Sequence, residues 1–292
     1  MKTATVHLGL HKTGSTYIQS TAHKNFHALL EKNLYFRREV GYPAHHPQAW
    51  AILERDLSGL DRMIEEAEIA GASDLLISSE DLESLVFKPD LAIEVAHRLL
   101  DADYDQVVFA MFLRNPGETF WSIYSEISKH LYIDPMSMLT DALRLGYVYV
   151  ERPHSRTTKS PYWHFCFDHG TYIPRFRDAL RRDRRGNQLG ARVYRYDDAD
   201  TFLGRRFFAD LGVLDAIKVL PSAAARNGRL TRDAVQANYV ERALRQLTPT
   251  VAGSLEAGLQ ERTRFSTNER VAMADAIENR FGPGLSRALF AA

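Results

Sequence analysis

Short apolar runs alternate with amphipathic stretches along most of the chain. The runs DLLISS at 74–79 and QVVFAMFL at 106–113 are almost continuously apolar, which is typical of strands covered on both faces of a sheet. Between them, residues 88–102 place apolar side chains at helical spacing. Two further strands are predicted at 3–10 and 191–196, and another helix is predicted at 15–33. This alternation predicts an α/β fold with a mainly parallel central sheet flanked by helices.

The rest of the pattern indicates a single domain. No internal repeat, low-complexity tract or obvious linker interrupts residues 1–292, and the core of the fold is expected over about 3–230. Residues 231–292 are mostly helical in pattern. Residues 147–170 are irregular, aromatic and basic, and we expect them to form a lid.

The charges of the chain cancel. Its 292 residues include 37 basic and 37 acidic side chains, so no overall field favours a nucleic acid or an anionic membrane, and any anion site must be built locally. The single cysteine, Cys166, cannot form an internal disulfide, and no Cys/His spacing typical of zinc is present. Without a long apolar run or a signal peptide, we expect a cytoplasmic protein with no integral membrane association.

A glycine-bounded loop joins the first predicted strand to the first helix in TVHLGLHKTGSTYIQ. Such a turn presents backbone N–H groups and the positive end of a helix to an anion. The spacing from Gly9 to Gly14 is that of a nucleotide phosphate loop, but Ser15 stands where a Walker A motif has lysine. The lysine is Lys12, inside the loop. The second strand leads into Glu80 rather than a magnesium-binding aspartate, which weakens an ATPase or kinase interpretation.

A second candidate anion site follows the third strand in FLRNPGETFWSIYSE. Asn115 is a predicted N-cap, with Pro116 at the first helical position and Glu118 completing a capping-box-like pair. Helix capping leaves Arg114 and Ser122 unexplained, and these two residues are placed to close on one anion. Two anion sites at the carboxyl edge of a parallel sheet suggest a ligand with phosphates at both ends.

Together, the two motifs resemble those of the sulfotransferases that use 3'-phosphoadenylyl sulfate, PAPS. HKTGSTY is similar to their 5'-phosphosulfate loop, and the spacing of Arg114 and Ser122 matches their 3'-phosphate site. VYRYDDADTFLGRRFFADLGV, at 193–213, also looks like the family's strand, acidic pair and helix. The resemblance covers about residues 3–230. It implies a P-loop NTPase-like three-layer sandwich and a PAPS-dependent O-sulfotransferase of bacterial type.

The resemblance also implies the nucleotide contacts. The 5'-phosphosulfate would be held by Lys12, Thr13, Gly14, Ser15 and Thr16. Lys12 would lie near the bridging oxygen and neutralise the leaving phosphate. Arg114 and Ser122 would hold the 3'-phosphate. Aromatic and late-loop contacts are expected from Tyr17, Tyr196, Arg226 and Arg229. PAPS would be the co-substrate and 3',5'-ADP (PAP) the product. No metal ion is expected, because a sulfuryl group carries less charge than a terminal phosphoryl group.

The acceptor hydroxyl must lose a proton as it attacks sulfur. In the resembled family, cytosolic small-molecule members place a histidine after this strand, and glycan-modifying members often use a glutamate. LLISSEDLES offers no histidine there, so the resemblance implies Glu80 as the base, with Asp81 as the alternative. The run SSED at 78–81 could instead simply cap the short helix that follows, which does not exclude catalysis. By the same resemblance, a glutamate base favours a carbohydrate or glycolipid acceptor. A peptide tyrosine and a small alcohol or phenol stay open as acceptors, as does the oligomeric state.

The aromatic-basic segment at 152–167 also favours a glycan acceptor, because aromatic faces and cations suit a sugar. Its aromatic members include Tyr162, Trp163 and Phe165.

Four histidines near these motifs are interpreted as structural residues and not as metal ligands. His7 and His11 read as core or shell residues, and His45 and His46 lie in a proline-bounded turn without metal-ligating partners.

Two other protein classes remain compatible with these motifs. A P-loop kinase acting on a small molecule would require Mg²⁺ and would bind ATP. A non-catalytic nucleotide-binding or interaction protein would bind the nucleotide yet be indifferent to substitution of Lys12 or Glu80.

Overall fold

The computed structural model describes residues 1–130, 133–152, 158–196, 202–221, 232–245, 247–262 and 265–290. The strands are β1 Thr3–Gly9, β2 Leu34–Tyr35, β3 Asp74–Ser78, β4 Gln106–Leu113, β5 Tyr147–Glu151, β6 Tyr162–Cys166 and β7 Leu189–Arg195. Five of them form one sheet in the order β2-β3-β1-β4-β7, and each neighbouring pair runs parallel. The predicted α/β architecture with a mainly parallel central sheet is confirmed.

Helices flank this sheet. They are α1 Ser15–Lys24, α2 Phe26–Glu31, α3 His46–Leu53, α4 Ser58–Ile69, α5 Pro89–Asp101, α6 Pro116–Ile127, α7 Pro135–Leu145, α8 His169–Arg182, α9 Arg205–Asp210, α10 Arg232–Leu244, α11 Pro249–Arg262 and α12 Thr267–Phe281. Short 3₁₀ helices are found at Glu80–Val86, Gly186–Gln188, Gly282–Gly284 and Arg287–Phe290. The helical pattern predicted for the C-terminal region is confirmed by α10, α11 and α12. Among the described helices, none is long and apolar enough to cross a membrane.

The helix predicted over 15–33 is two helices in the structure, because the chain turns at Asn25. The Asn25 side chain donates one hydrogen bond to the Thr21 carbonyl at 2.8 Å and another to the Lys218 carbonyl at 2.9 Å. A short amide side chain competes well with the helical backbone for these groups. The break therefore ties α1 to a segment near residue 218.

Alternate side chains of each central strand enter different apolar clusters, as the strand period of two requires. On β4, Phe109 and Met111 pack with α5 and α8 on one face. Ala110 and Phe112 pack with α1 and α9 on the other. Both faces of the sheet are thus covered, which explains the near-continuous apolar character of β4.

The irregular conformation predicted over 147–170 is wrong for the residues that the structure describes there, and the lid stays a prediction. Strands β5 and β6 pair as an antiparallel hairpin, with Tyr147 opposite Cys166 and Glu151 opposite Tyr162. Residues 153–157 lie outside the described residues. The aromatic side chains Tyr162, Trp163 and Phe165 are buried. They pack inside the molecule and do not form an open sugar-binding surface.

Candidate functional site

The loop after β1 leaves the first turn of α1 without a side-chain cap. Gly9, Lys12 and Gly14 all adopt left-handed backbone conformations, and Gly14 is the N-cap of α1. The buried Thr13 hydroxyl donates a hydrogen bond to the Leu10 carbonyl at 2.6 Å, which closes the loop on itself. A loop of this shape ahead of a helix offers backbone N–H groups to an anion.

Gly14 lies against two side chains that reach the loop from the end of β7 and from the segment after it. An added Cβ at Gly14 would lie 2.0 Å from Leu203 Cδ2 and 3.2 Å from Tyr196 Cε2. The Tyr196 ring also contacts Arg114, whose guanidinium carbon lies 4.8 Å from the ring centroid. One aromatic ring therefore connects the loop with the arginine that follows β4. The two predicted anion sites lie at the same edge of the sheet.

Both predicted phosphate-binding cations contact carboxylates of α6. Arg114 Nε and Nη2 each lie 2.9 Å from Glu118 Oε2, and Lys12 Nζ lies 2.9 Å from Glu126 Oε2. Ser122 lies between these glutamates at intervals of four residues, so all three share one face of the helix. Lys12 and Arg114 therefore contact α6 on the face that also carries Ser122. Sequence reasoning missed Glu126, although the four-residue spacing was visible.

Glu126 is a strongly ionised carboxylate. Burial would raise its pKa, but contacts with His130, Lys12 and Lys129 hold the pKa well below its usual range. Lys129 Nζ lies 2.8 Å from Glu126 Oε2, the same oxygen that Lys12 contacts. The loop lysine therefore shares its counter-ion with a second cation.

Capping of α6 is only partly as predicted. Asn115 Oδ1 accepts hydrogen bonds from the backbone N–H groups of Gly117 and Glu118 at 2.8 and 3.2 Å, which confirms it as the N-cap. The Glu118 carboxylate does not complete a capping box and instead binds Arg114. A guanidinium is a stronger partner for a carboxylate than a neutral N–H group.

Tyr17 does not present an open face for an adenine ring. It is buried, and its hydroxyl donates a hydrogen bond to the Leu220 carbonyl at 2.8 Å. In this structure Tyr17 is a packed residue, and its stacking on an adenine ring stays a prediction. The contact also places Leu220, just ahead of residues 222–231, beside the phosphate loop. Arg226 and Arg229 lie outside the described residues.

Glu80 lies directly beside the start of the loop. An added Cβ at Gly9 would be 3.0 Å from both Cα and Cβ of Glu80, so the two backbones nearly touch. Glu80 Oε2 accepts a hydrogen bond from the buried Gln19 side chain at 2.7 Å. Burial raises the pKa of Glu80, but the nearby His46 and His11 outweigh it and lower the pKa. A carboxylate with a lowered pKa is a weak proton acceptor at neutral pH.

Asp81 is a buried acceptor of three side-chain hydrogen bonds. Its oxygens accept from Trp50 Nε1 at 2.6 Å, from Trp163 Nε1 at 2.7 Å and from His46 Nδ1 at 2.9 Å. Its backbone N–H donates to Ser79 Oγ at 3.3 Å, so the predicted cap of the short helix is confirmed. Burial opposes ionisation, but the histidine contacts hold the pKa of Asp81 well below its usual range. With its oxygens committed, Asp81 serves to hold other groups.

His11 belongs to the same buried network. Its Nδ1 and its backbone N–H both lie 2.8 Å from Glu83 Oε2, and its Nε2 lies 3.7 Å from Asp81 Oδ1. Burial lowers the pKa of His11, but the two carboxylates outweigh it and raise the pKa to about 10. A buried imidazolium between two carboxylates fixes the loop to the short helix. This agrees with its interpretation as a core or shell histidine.

The described residues contain no group of three or more His, Cys, Asp and Glu side chains arranged to hold a metal ion. Comparisons of the chain with protein-family models, with curated proteins and with solved structures found no match.

Proposed function

We propose that this chain is a PAPS-dependent O-sulfotransferase that transfers a sulfuryl group to a hydroxyl acceptor. The observation that carries the proposal is the meeting of two separate cation sites at one edge of the sheet, Lys12 in the loop and Arg114 after β4. They are linked by the Tyr196 ring and by one face of α6. This arrangement supports a nucleotide with charged groups at both ends, and the P-loop NTPase-like sandwich is proposed with it.

Each end of the nucleotide has its own partners in this proposal. The backbone of the Gly9-to-Gly14 loop and the start of α1 bind the 5'-phosphosulfate, with Lys12 supplying charge as the phosphate leaves. Arg114 and Ser122 bind the 3'-phosphate. Tyr196 lies between the two ends and packs against the base or ribose.

Two carboxylates compete with the nucleotide for these cations. The Arg114 side chain is largely buried at 12% exposure, but its partner Glu118 retains 60%, so this carboxylate can move into solvent when a phosphate takes its place. The carboxylate of the Lys12–Glu126 pair is more enclosed than Glu118, with side-chain exposures of 24% for Lys12 and 25% for Glu126. Opening this pair is the larger cost of productive binding.

The acceptor side is proposed to lie beyond Glu80. A carbohydrate or glycolipid remains the favoured acceptor. Two half-buried aromatic rings, Tyr42 and Trp50, lie on the Asp81 side of Glu80 and could stack on a sugar. They take the place of the hairpin's aromatic side chains, which are buried. A cytoplasmic location is proposed with it, on the single buried thiol of Cys166 and the absence of any disulfide in the sequence.

The test is calorimetric binding of PAP, 5'-AMP and ATP to the chain, without and then with magnesium. We expect a strong preference for PAP that falls about 10–150-fold in Arg114→Ala, the value of one charge-assisted hydrogen-bonded contact. Arg195→Ala is the matched control, because its guanidinium lies over Phe290 and not over Tyr196. ATP binding as tight as PAP binding would reject the proposal in favour of a kinase.

A further inference from the structure

A second polar cluster on the acceptor side contains a histidine that the sequence interpretation set aside. His46, the first residue of α3, has its Nδ1 atom 2.9 Å from Asp81 Oδ2 and 3.0 Å from Ser79 Oγ. Its side chain keeps 19% of its accessible surface, whereas that of Asp81 keeps 5%. The pair therefore combines a buried carboxylate with a partly open imidazole.

The buried carboxylate is rigidly held. Trp50 and Trp163 each donate an indole N–H to Asp81, at 2.6 and 2.7 Å, so its orientation is fixed from two sides. The His46 ring lies nearly parallel to Trp50, with 6.1 Å between centroids and 18° between planes. Because ionised Asp81 can only accept, Nδ1 of His46 carries the proton of their hydrogen bond.

The other ring nitrogen, Nε2 of His46, is the atom that can take a proton. Within the part of the chain that the structure describes, it has no hydrogen-bond or ion-pair partner. The preceding residue gives a contrast, since both ring nitrogens of His45 are bonded, one to the Arg37 carbonyl and one to the Ser78 N–H. His45 is completely buried and structural. His46 has the same chemistry with one nitrogen left available.

His46 also lies beside the candidate reaction centre. Asp81, its partner, is the residue after Glu80, and Glu80 packs on Gly9 at the start of the loop. The charged groups acting on His46 are Glu80 and Asp81 from the short helix and His11 from the loop, and Tyr42 contacts its ring. Burial lowers the pKa of His46, but the two carboxylates outweigh it and raise the pKa to about 8. An imidazole titrating near working pH is a better base than Glu80.

We infer that His46 is the residue that removes the acceptor's proton, with Asp81 as its positioning carboxylate. In this step the acceptor O–H bond breaks and an N–H bond forms at Nε2, while the acceptor oxygen forms its bond to sulfur. The sulfur–oxygen bond to the 5'-phosphate breaks, and Lys12 neutralises the charge that remains on that phosphate. The negative charge of Glu80 makes His46 more basic. This inference rests on the proposed function.

The first experiment compares PAP affinity and PAPS turnover, with water as the probe acceptor, in His46→Gln and the parent chain. We expect PAP affinity within about twofold and turnover lower by about 10²–10⁴-fold, the usual range for a general base. His97→Gln is the matched control. It removes another partly exposed histidine that is held by an aspartate, since His97 Nε2 lies 2.7 Å from Asp183 Oδ1. His97 and Asp183 lie in segments that lead into the amino ends of strands, at the edge of the sheet opposite to the candidate site. Turnover in His46→Gln within threefold of the parent would overturn the inference.

The pH profile separates His46 from Glu80. With His46 as base, turnover rises with pH, is half-maximal near pH 8 and levels off above it, and Glu80→Gln keeps this rise but moves it to lower pH. A profile that is flat above about pH 5 and is abolished by Glu80→Gln would assign the proton to Glu80 instead.

A measurement that needs no turnover completes the test. The ring proton resonances of His46, assigned by their loss in His46→Gln, should titrate with a midpoint above 6.5 that falls in Glu80→Gln. A midpoint below 6.5 would overturn the pairing of His46 with Asp81. A chain that fails to bind PAP would contradict the proposed function, and the His46 titration would still decide whether the pair exists.

Discussion

Glu126→Gln should make the chain bind PAP more tightly. Lys12 Nζ lies 2.9 Å from Glu126 Oε2, and both side chains are about three-quarters buried. An exposed ion pair is worth about 0.2–1 kcal/mol and breaking a buried one costs about 3–5 kcal/mol, so we place this pair at about 1–2 kcal/mol. Removing the carboxylate charge frees Lys12 for the phosphate, which corresponds to about 5–30-fold tighter binding.

Calorimetric titration with PAP measures the effect, and a double-mutant cycle with Lys12→Met identifies its source. The gain should vanish when Lys12 is already absent. Glu66→Gln is the control, because it removes a carboxylate paired with Arg37 at 3.4 Å on α4, away from the loop. Unchanged or weaker PAP binding in Glu126→Gln would refute the competition argument. An equal gain in PAP affinity in the Lys12→Met background would mean that the gain comes from removing a negative charge near the ligand and not from releasing Lys12.

Three further outcomes follow from the geometry. Asp81→Asn should lower the free energy of unfolding by about 3–5 kcal/mol, because it removes the charge from a buried hydrogen-bonded group. Urea unfolding followed by tryptophan fluorescence measures this loss, and a value under about 1 kcal/mol would contradict the expectation. Gly14→Ala should lower the melting temperature more than Gly41→Ala and should abolish PAP binding. Both glycines have φ near +80°, but of the two only Gly14 has neighbours within 4 Å that an added Cβ would meet. Equal melting temperatures for the two variants would argue against close packing at Gly14. The melting temperature should be highest near pH 6.5. Towards pH 4 stability falls, because burial lowers the pKa of several histidines to about 4 and the folded state binds fewer protons than the unfolded state. These histidines are His7, His45, His164 and His169. Above pH 6.5 the stabilising contribution of His11, whose pKa is raised to about 10, is progressively lost. A melting temperature that does not change between pH 4.5 and 6.5 would contradict the expected loss of stability in acid.

The strands and the glycine loop could be predicted from the sequence because their signals are local. The apolar run of β4 gave its bounds, Gln106–Leu113, without error, and Asn115 with Pro116 marked the start of α6. Gly14 has a left-handed conformation because its place between a strand and a helix needs one. In each case the period of the side chains or the chemistry of one turn suffices.

Other assignments failed because they depend on where distant segments pack. The sequence did not indicate that Tyr17 would be buried with its hydroxyl bonded to the Leu220 carbonyl. Trp163 and Phe165 have the composition of a sugar-binding surface, yet β6 carries them into the core. Aromatic side chains suit an interior as well as an interface, so composition alone does not separate the two.

The sequence by itself determined the parallel sheet, the loop after β1 and the positions of Lys12 and Arg114 at strand ends, because these depend on periodicity and short-range turn chemistry. Only the tertiary structure decided what those side chains contact. Glu126 meets Lys12 across 114 residues and His46 meets Asp81 across 35. Such pairs form where strand order and helix packing bring remote segments together, and the resulting burial and charge then set which carboxylate binds a cation and which histidine can accept a proton.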